Sequence, residues 1–102
     1  NKAIGIDPNL SEAWYQRGLL YLDFERVDEA MSDFEGAART DTHHIDARLR
    51  IAAILHEGED FDKAVAAWRQ VLDIEPQHRL ARRRLAECRD LTAARNAPPP
   101  KD

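Results

Sequence analysis

Cysteine is nearly missing from this sequence, with Cys88 alone among the 102 residues. No intrachain disulfide can form, so packing alone must hold the fold. A reducing compartment such as the cytoplasm is the natural setting, and a periplasmic chain without disulfides fits as well. Long apolar runs are also missing. None approaches the ~20 residues that cross a bilayer as a helix, so no membrane span is expected. No secretory leader is visible, but the chain opens on Asn1 rather than Met and reads as a piece of something longer. The four glycines form no phosphate-cradling loop, and neither a nucleophile elbow nor an HExxH pair occurs. Positive charge is not in excess either. The formal net charge is -4, which disfavours nucleic acid as a partner.

What is present is a small, strongly charged domain, with 33% of residues Asp, Glu, Lys or Arg. A chain of this size buries a limited core. Its charge is uneven: Asn1–Asp46 carries four basic and ten acidic residues, and Ala47–Asp102 carries eleven and nine. Arg79–Arg95 is the basic extreme, with six Arg against two acids.

Self-similarity organises the chain. Pro8 and Pro76 lie 68 residues apart, twice 34. A shift of 34 superposes Ala13, Ala47 and Ala81, and also Gly18, Ala52 and Ala86. Ala30 then falls on Ala64, Phe34 on Trp68, and IDPNLSEA on IEPQHRLA. Each period reads as two helices. Leu10–Phe24 and Val27–Thr40 flank a turn at Glu25-Arg26; Ile45–Glu57 and Phe61–Ile74 flank Gly58-Glu59-Asp60. Gly58 suits a left-handed residue ending a helix. Pro8 and Pro76 fall between units, where proline is tolerated. Asp28 and Asp62 sit in first turns, where the helix dipole favours negative charge.

With Trp14, Gly18, Tyr21, Ala30, Phe34 and Ala37 in place, the first unit resembles the tetratricopeptide repeat. Ala52, Leu55, Ala64, Trp68, Val71 and Pro76 follow the same pattern by type in the second. The resemblance runs to about Leu91. It implies an all-α, right-handed superhelical solenoid of antiparallel helix pairs with a C-terminal capping helix. The expected division is the end of a preceding second helix over 1–8, repeats over 9–44 and 45–78, a cap over 79–96 and a flexible proline-rich tail over 97–102. Arg17, Arg48, Thr42, Glu25 and Glu59 depart from the family's usual Leu, Trp, Pro and loop Gly.

The last helix reads as a cap because Arg82 and Arg89 stand where Trp14 and Tyr21 do, and no further helix follows to cover them. Ala81, Leu85, Ala86 and Cys88 form its expected buried stripe. At the other end, Ala13, Leu20 and Phe24 would lack a packing partner and are expected to be a self-association surface.

The resemblance also implies a function: protein–protein interaction, by a scaffold or adaptor holding a peptide or partner segment in a concave groove lined by the first helices. Trp14, Gly18 and Tyr21 would then pack inward. The groove positions are Glu12, Tyr15, Gln16, Leu19 and Asp23 on the first helix, Leu49, Arg50 and Ala53 on the third, and Leu80, Arg83 and Arg84 on the last. They offer an apolar strip beside a basic cluster. Arginine pairs two-pronged with carboxylates, so an acidic partner is the natural guest. The family's chaperone-binding carboxylate clamp is not expected, because only Arg84 matches its pattern and the asparagines are missing. Solvation of an exposed cap is the plain alternative for Arg83 and Arg84.

Two other readings stand beside groove binding. One is self-association through the N-terminal face. The other is RNA contact by Arg79, Arg82, Arg83, Arg84 and Arg89. That run lacks interleaved aromatics and splits over two helix faces. No catalytic, metal or cofactor site is expected. His43-His44 reads as a solvated turn, and Cys88 as a small buried hydrophobe.

Overall fold

The computed structural model describes residues 8–96. The segments expected at 1–8 and 97–102 lie outside them, apart from Pro8. Five α-helices follow in order: α1 (Pro8–Asp23), α2 (Val27–Thr40), α3 (Ile45–Glu57), α4 (Phe61–Ile74) and α5 (Arg79–Asn96). No strand occurs among the described residues. Each helix packs against the next in sequence, the pattern of a helical repeat. Among the described residues no helix is long and apolar enough to cross a membrane.

Two apolar clusters hold the stack. The first joins Ala30, Phe34 and Ala37 of α2 to Tyr15 of α1 and Ala47 of α3. The second joins Ala64, Ala67, Trp68 and Val71 of α4 to Ala52 of α3 and to Ala81, Leu85 and Cys88 of α5. Ile51 touches both. Phe34 and Trp68 are almost fully enclosed, and truncating either to Ala is expected to cost about 3–5 kcal/mol. Small residues let the helices approach. A Cβ on Gly18 would lie 2.6 Å from Phe34 Cε1, and one on Gly36 would lie 2.9 Å from Trp14 Cδ2. Gly18→Ala must therefore displace a buried ring.

The hairpin turns repeat at the same spacing. Arg26 N–H donates to Tyr21 O at 2.8 Å, and Asp60 N–H donates to Leu55 O at 3.0 Å. The left-handed residue is Glu25 in one turn and Glu59 in the other, with φ of 60° and 63°. The expectation for Gly58 is thus corrected. Its φ is -79°, and the left-handed position comes one residue later. Helix α1 also begins two residues before the expected Leu10, because Pro8 fits a first helical turn without a lost N–H.

Histidines begin α3 and α5. His44 Nδ1 accepts the Ala47 N–H at 3.1 Å, and His78 Nδ1 accepts the Ala81 N–H at 3.2 Å. Each satisfies a backbone donor that a helix start leaves orphaned. His44 is therefore half-buried rather than part of a solvated turn. In α5, Ala81, Leu85 and Cys88 are buried, but Ala86 is exposed. Ala86 stands at the Gly18 position, which in α1 meets Phe34; among the described residues no equivalent ring meets it.

Candidate functional site

The first helix of each pair contributes one residue per repeat to a row. Gln16, Arg50 and Arg84 form one such row at 34-residue intervals. Their electrostatic states differ. Gln16 donates to Glu12 at 2.6 Å. Arg84 donates to Glu87 at 2.8 Å, and this contact, with the charges of Arg84 and Arg83, holds the Glu87 carboxyl below its ordinary range. Arg50 is exposed and makes no hydrogen bond or ion pair among the described residues.

Two adjoining cavities open beside this row. One, of about 220 Å³, includes Tyr15, Asp46, Leu49 and Arg50 in its wall. The other, of about 260 Å³, includes His56, Glu57 and Arg84. They share Ala53, Trp68 and Leu80, so they form one cleft between α3 and α5 with α4 beneath. Leu80 is 41% exposed. Its wall can cover an apolar side chain while Arg50 meets an anion.

His56 is fixed from several sides. The Trp68 indole N–H donates to its Nδ1 at 3.4 Å, and Cys88 Sγ lies 3.2 Å from the same atom. Its Nε2 lies 3.7 Å from Glu87, and its ring meets Phe61 edge-on. Behind it, Cys88 is fully buried. Burial, helped by the nearby Glu87 charge, pushes its thiol above the ordinary range. A thiol so placed is a poor nucleophile. Among the described residues no group of three or more His, Cys, Asp or Glu is arranged to hold a metal.

Of the residues expected in the groove, the cleft gathers Tyr15, Leu49, Arg50, Ala53, Leu80 and Arg84. Tyr15 is the most enclosed of these, being only 9% exposed. Its ring packs against Phe34 and His44 and closes one end of the cleft. Leu19 packs on the first core cluster, and Asp23 ends α1 in solvent. Glu12 and Gln16 are tied to each other outside the cleft, and Arg83 is exposed beyond it. Sequence reasoning missed Trp68 as the floor. Its periodicity marks it as core, and only the packing of α3 and α5 leaves its edge beneath both cavities.

At the N-terminal side, Leu20 and Phe24 are 56% and 72% exposed, and Ala13 is exposed with them. A separate cavity of about 260 Å³ lies there among Leu10, Ala13, Trp14 and Arg17. Trp14 and Tyr21 are half-buried, with the Arg17 guanidinium over both rings.

The Arg-rich helix is less free than its composition implies. Arg82 is bonded to Gln77, Arg84 to Glu87, and Arg95 lies 3.7 Å from Asp62.

Two family models described as tetratricopeptide repeat match residues 11–44 and 46–78. The chain belongs to the tetratricopeptide repeat family. Repeats of this family generally mediate protein–protein interaction and are typically non-enzymatic. The chain is similar to the general transcriptional corepressor ssn6 of Schizosaccharomyces pombe, with 38% identity over 65% of the chain and 6% of that protein. It is also similar to a TPR repeat-containing protein of Rhizobium etli, with 31% identity over 79% of the chain and 40% of that protein. The tetratricopeptide chain thus spans less than half the length of either relative.

Proposed function

We propose that the chain is a protein-binding module whose α3–α5 cleft holds a peptide or partner segment. One observation carries this reading: an unpaired arginine, Arg50, stands at the wall of a cleft floored by Ala53, Trp68 and Leu80. Such a cleft suits an apolar side chain flanked by a carboxylate. Arg83 stands nearby as a second exposed cation. Arg84 contributes less, since Glu87 already occupies it. Residues Glu12, Gln16, Leu19 and Asp23 would act as a flanking surface.

The test is affinity capture from source lysate by the wild-type chain, the Arg50→Glu variant and the Leu80→Glu variant. Partners held by the cleft are lost from both variants while circular dichroism stays unchanged. Equal recovery of every partner by all three proteins removes the cleft as the binding site.

Exposure of Leu20 and Phe24 favours a second reading, self-association through Ala13, Leu20 and Phe24. Leu20→Glu then lowers the weight-average mass in concentrated solution. A wild-type chain that sediments as a monomer up to roughly millimolar concentration eliminates this reading.

A further inference from the structure

The 34-residue register pairs Trp14 with Arg48 and Gly36 with Gln70. In the first repeat the indole of Trp14 lies directly on Gly36. In the second, a hydrogen bond replaces that contact. Arg48 Nη1 donates to Gln70 Oε1 at 2.8 Å, and Arg48 Nε donates to Thr42 O at 2.9 Å. A bridging guanidinium fills less space than an indole. What remains is a cleft of about 640 Å³ between α2 and α4, whose lining includes Ala38, Arg39, Arg48 and Ile51. A smaller cavity of about 300 Å³ shares Thr42, Arg48 and Gln70 with it, so the two form one trough.

This trough is separate from the α3–α5 cleft. Arg48 and Ile51 line it, whereas Leu49, Arg50 and Ala53 line the other. At 100° per residue these sets project from opposite sides of α3.

We propose that the trough is a second docking site, for a partner segment presenting a single carboxylate beside an aliphatic side chain. Charge complementarity commits the occupant. Arg48 is anchored through Nε and Nη1, which leaves Nη2 to donate. Arg39, on the same cleft, makes no hydrogen bond or ion pair among the described residues. An anchored guanidinium loses little freedom on binding a carboxylate. Ile51 and Ala38 supply the apolar floor for the neighbouring side chain. Glu35 and Asp73, on either side of the shared residues, would repel further acids, so an acidic run is disfavoured.

The test is a nitrogen–proton NMR titration of the whole chain with N-acetyl-Leu-Glu-Leu-amide, its Gln isostere and N-acetyl-Glu-Glu-Glu-amide. The Leu-Glu-Leu peptide produces saturable shifts at Arg39, Arg48 Nε–H, Ile51 and the Gln70 amide. The Gln isostere binds about 10-fold more weakly, as expected for loss of a charge-assisted contact. The triple-acid peptide binds no more tightly. The double variant Arg48→Trp/Gln70→Gly rebuilds the Trp14–Gly36 arrangement, fills the trough and abolishes these shifts. Arg48→Gln alone weakens binding similarly and serves if the double variant does not fold. Equal binding of the Glu and Gln peptides, tighter binding of the triple-acid peptide, shifts confined to Arg50 and Leu80, or no shifts up to ~20 mM peptide overturns the proposal.

Discussion

Arg17 grips Asp33 with two parallel hydrogen bonds, Nε to Oδ2 at 2.7 Å and Nη2 to Oδ1 at 2.8 Å. The carboxylate is buried while the arginine side chain is more than half exposed. The hydrogen bond to Asp33 and its negative charge raise the Arg17 pKa above the ordinary range. Across this contact α1 is tied to α2, and the same guanidinium stacks on Trp14 and Tyr21. Where the family usually has Leu, this chain carries a half-buried ion pair whose carboxylate alone is enclosed.

The dependence is asymmetric. Arg17→Leu strands the Asp33 carboxylate without its counter-charge, and the midpoint of thermal unfolding falls by roughly 5 °C. Arg17→Leu/Asp33→Leu recovers most of that loss, because an apolar pair has no desolvated charge to satisfy. Differential scanning calorimetry on both variants checks the pair. A double variant no more stable than the single one contradicts the ion-pair account.

Glu25 and Glu59 hold left-handed backbone without the freedom of glycine. An L side chain there crowds the following carbonyl. Glu25→Gly and Glu59→Gly are each expected to stabilise the chain by about 0.5–1 kcal/mol, after the greater unfolded-state entropy of glycine is counted. Urea unfolding midpoints measure this directly. A midpoint lowered by both substitutions rules it out.

Glu87 titrates below its ordinary value of 4.5, chiefly because Arg84 donates to it. A depressed folded-state pKa places the stabilising contact above the unfolded value. The contribution is complete above about pH 4.5 and is lost as pH falls through the depressed value. Carbon-detected NMR titration is expected to show this midpoint below 4.5 and Arg84→Met to raise it. An unchanged midpoint in Arg84→Met assigns the shift elsewhere.

Cys88 is enclosed, and burial raises its thiol pKa above the ordinary 9.0. At pH 8 the native chain is expected to react with a disulfide reagent at least about 100-fold more slowly than the unfolded chain. Comparison of the two rates, followed by absorbance, provides the check. Comparable rates imply that the α3–α5 contact opens freely.

The helices were legible because their evidence is periodic. Four of the five observed spans coincide with those read from sequence, and α1 differs only at its ends. Apolar spacing, Pro8 and the acids Asp28 and Asp62 are local signals, and local signals survive without knowledge of neighbours. On α5, Arg82 and Arg89 are exposed where Trp14 and Tyr21 are half-buried. The His44 and His78 caps were legible in principle, since they stand 34 residues apart with Ala three residues on.

Sequence alone thus determined the repeat, its helices and the family, since each depends on spacing along one chain. Tertiary structure decided which side chains remain free. Position placed Tyr15 and Arg50 on one face, but the ring of His44 and the body of Phe34 bury the first. Gln16, Arg50 and Arg84 hold equivalent positions, yet only Arg50 lacks a partner, because Glu12 and Glu87 reach the other two. The exchange of Trp14–Gly36 for Arg48–Gln70 likewise became a cleft only where α2 and α4 fail to close over it. Such outcomes depend on contacts between helices, and no periodicity along the chain encodes them.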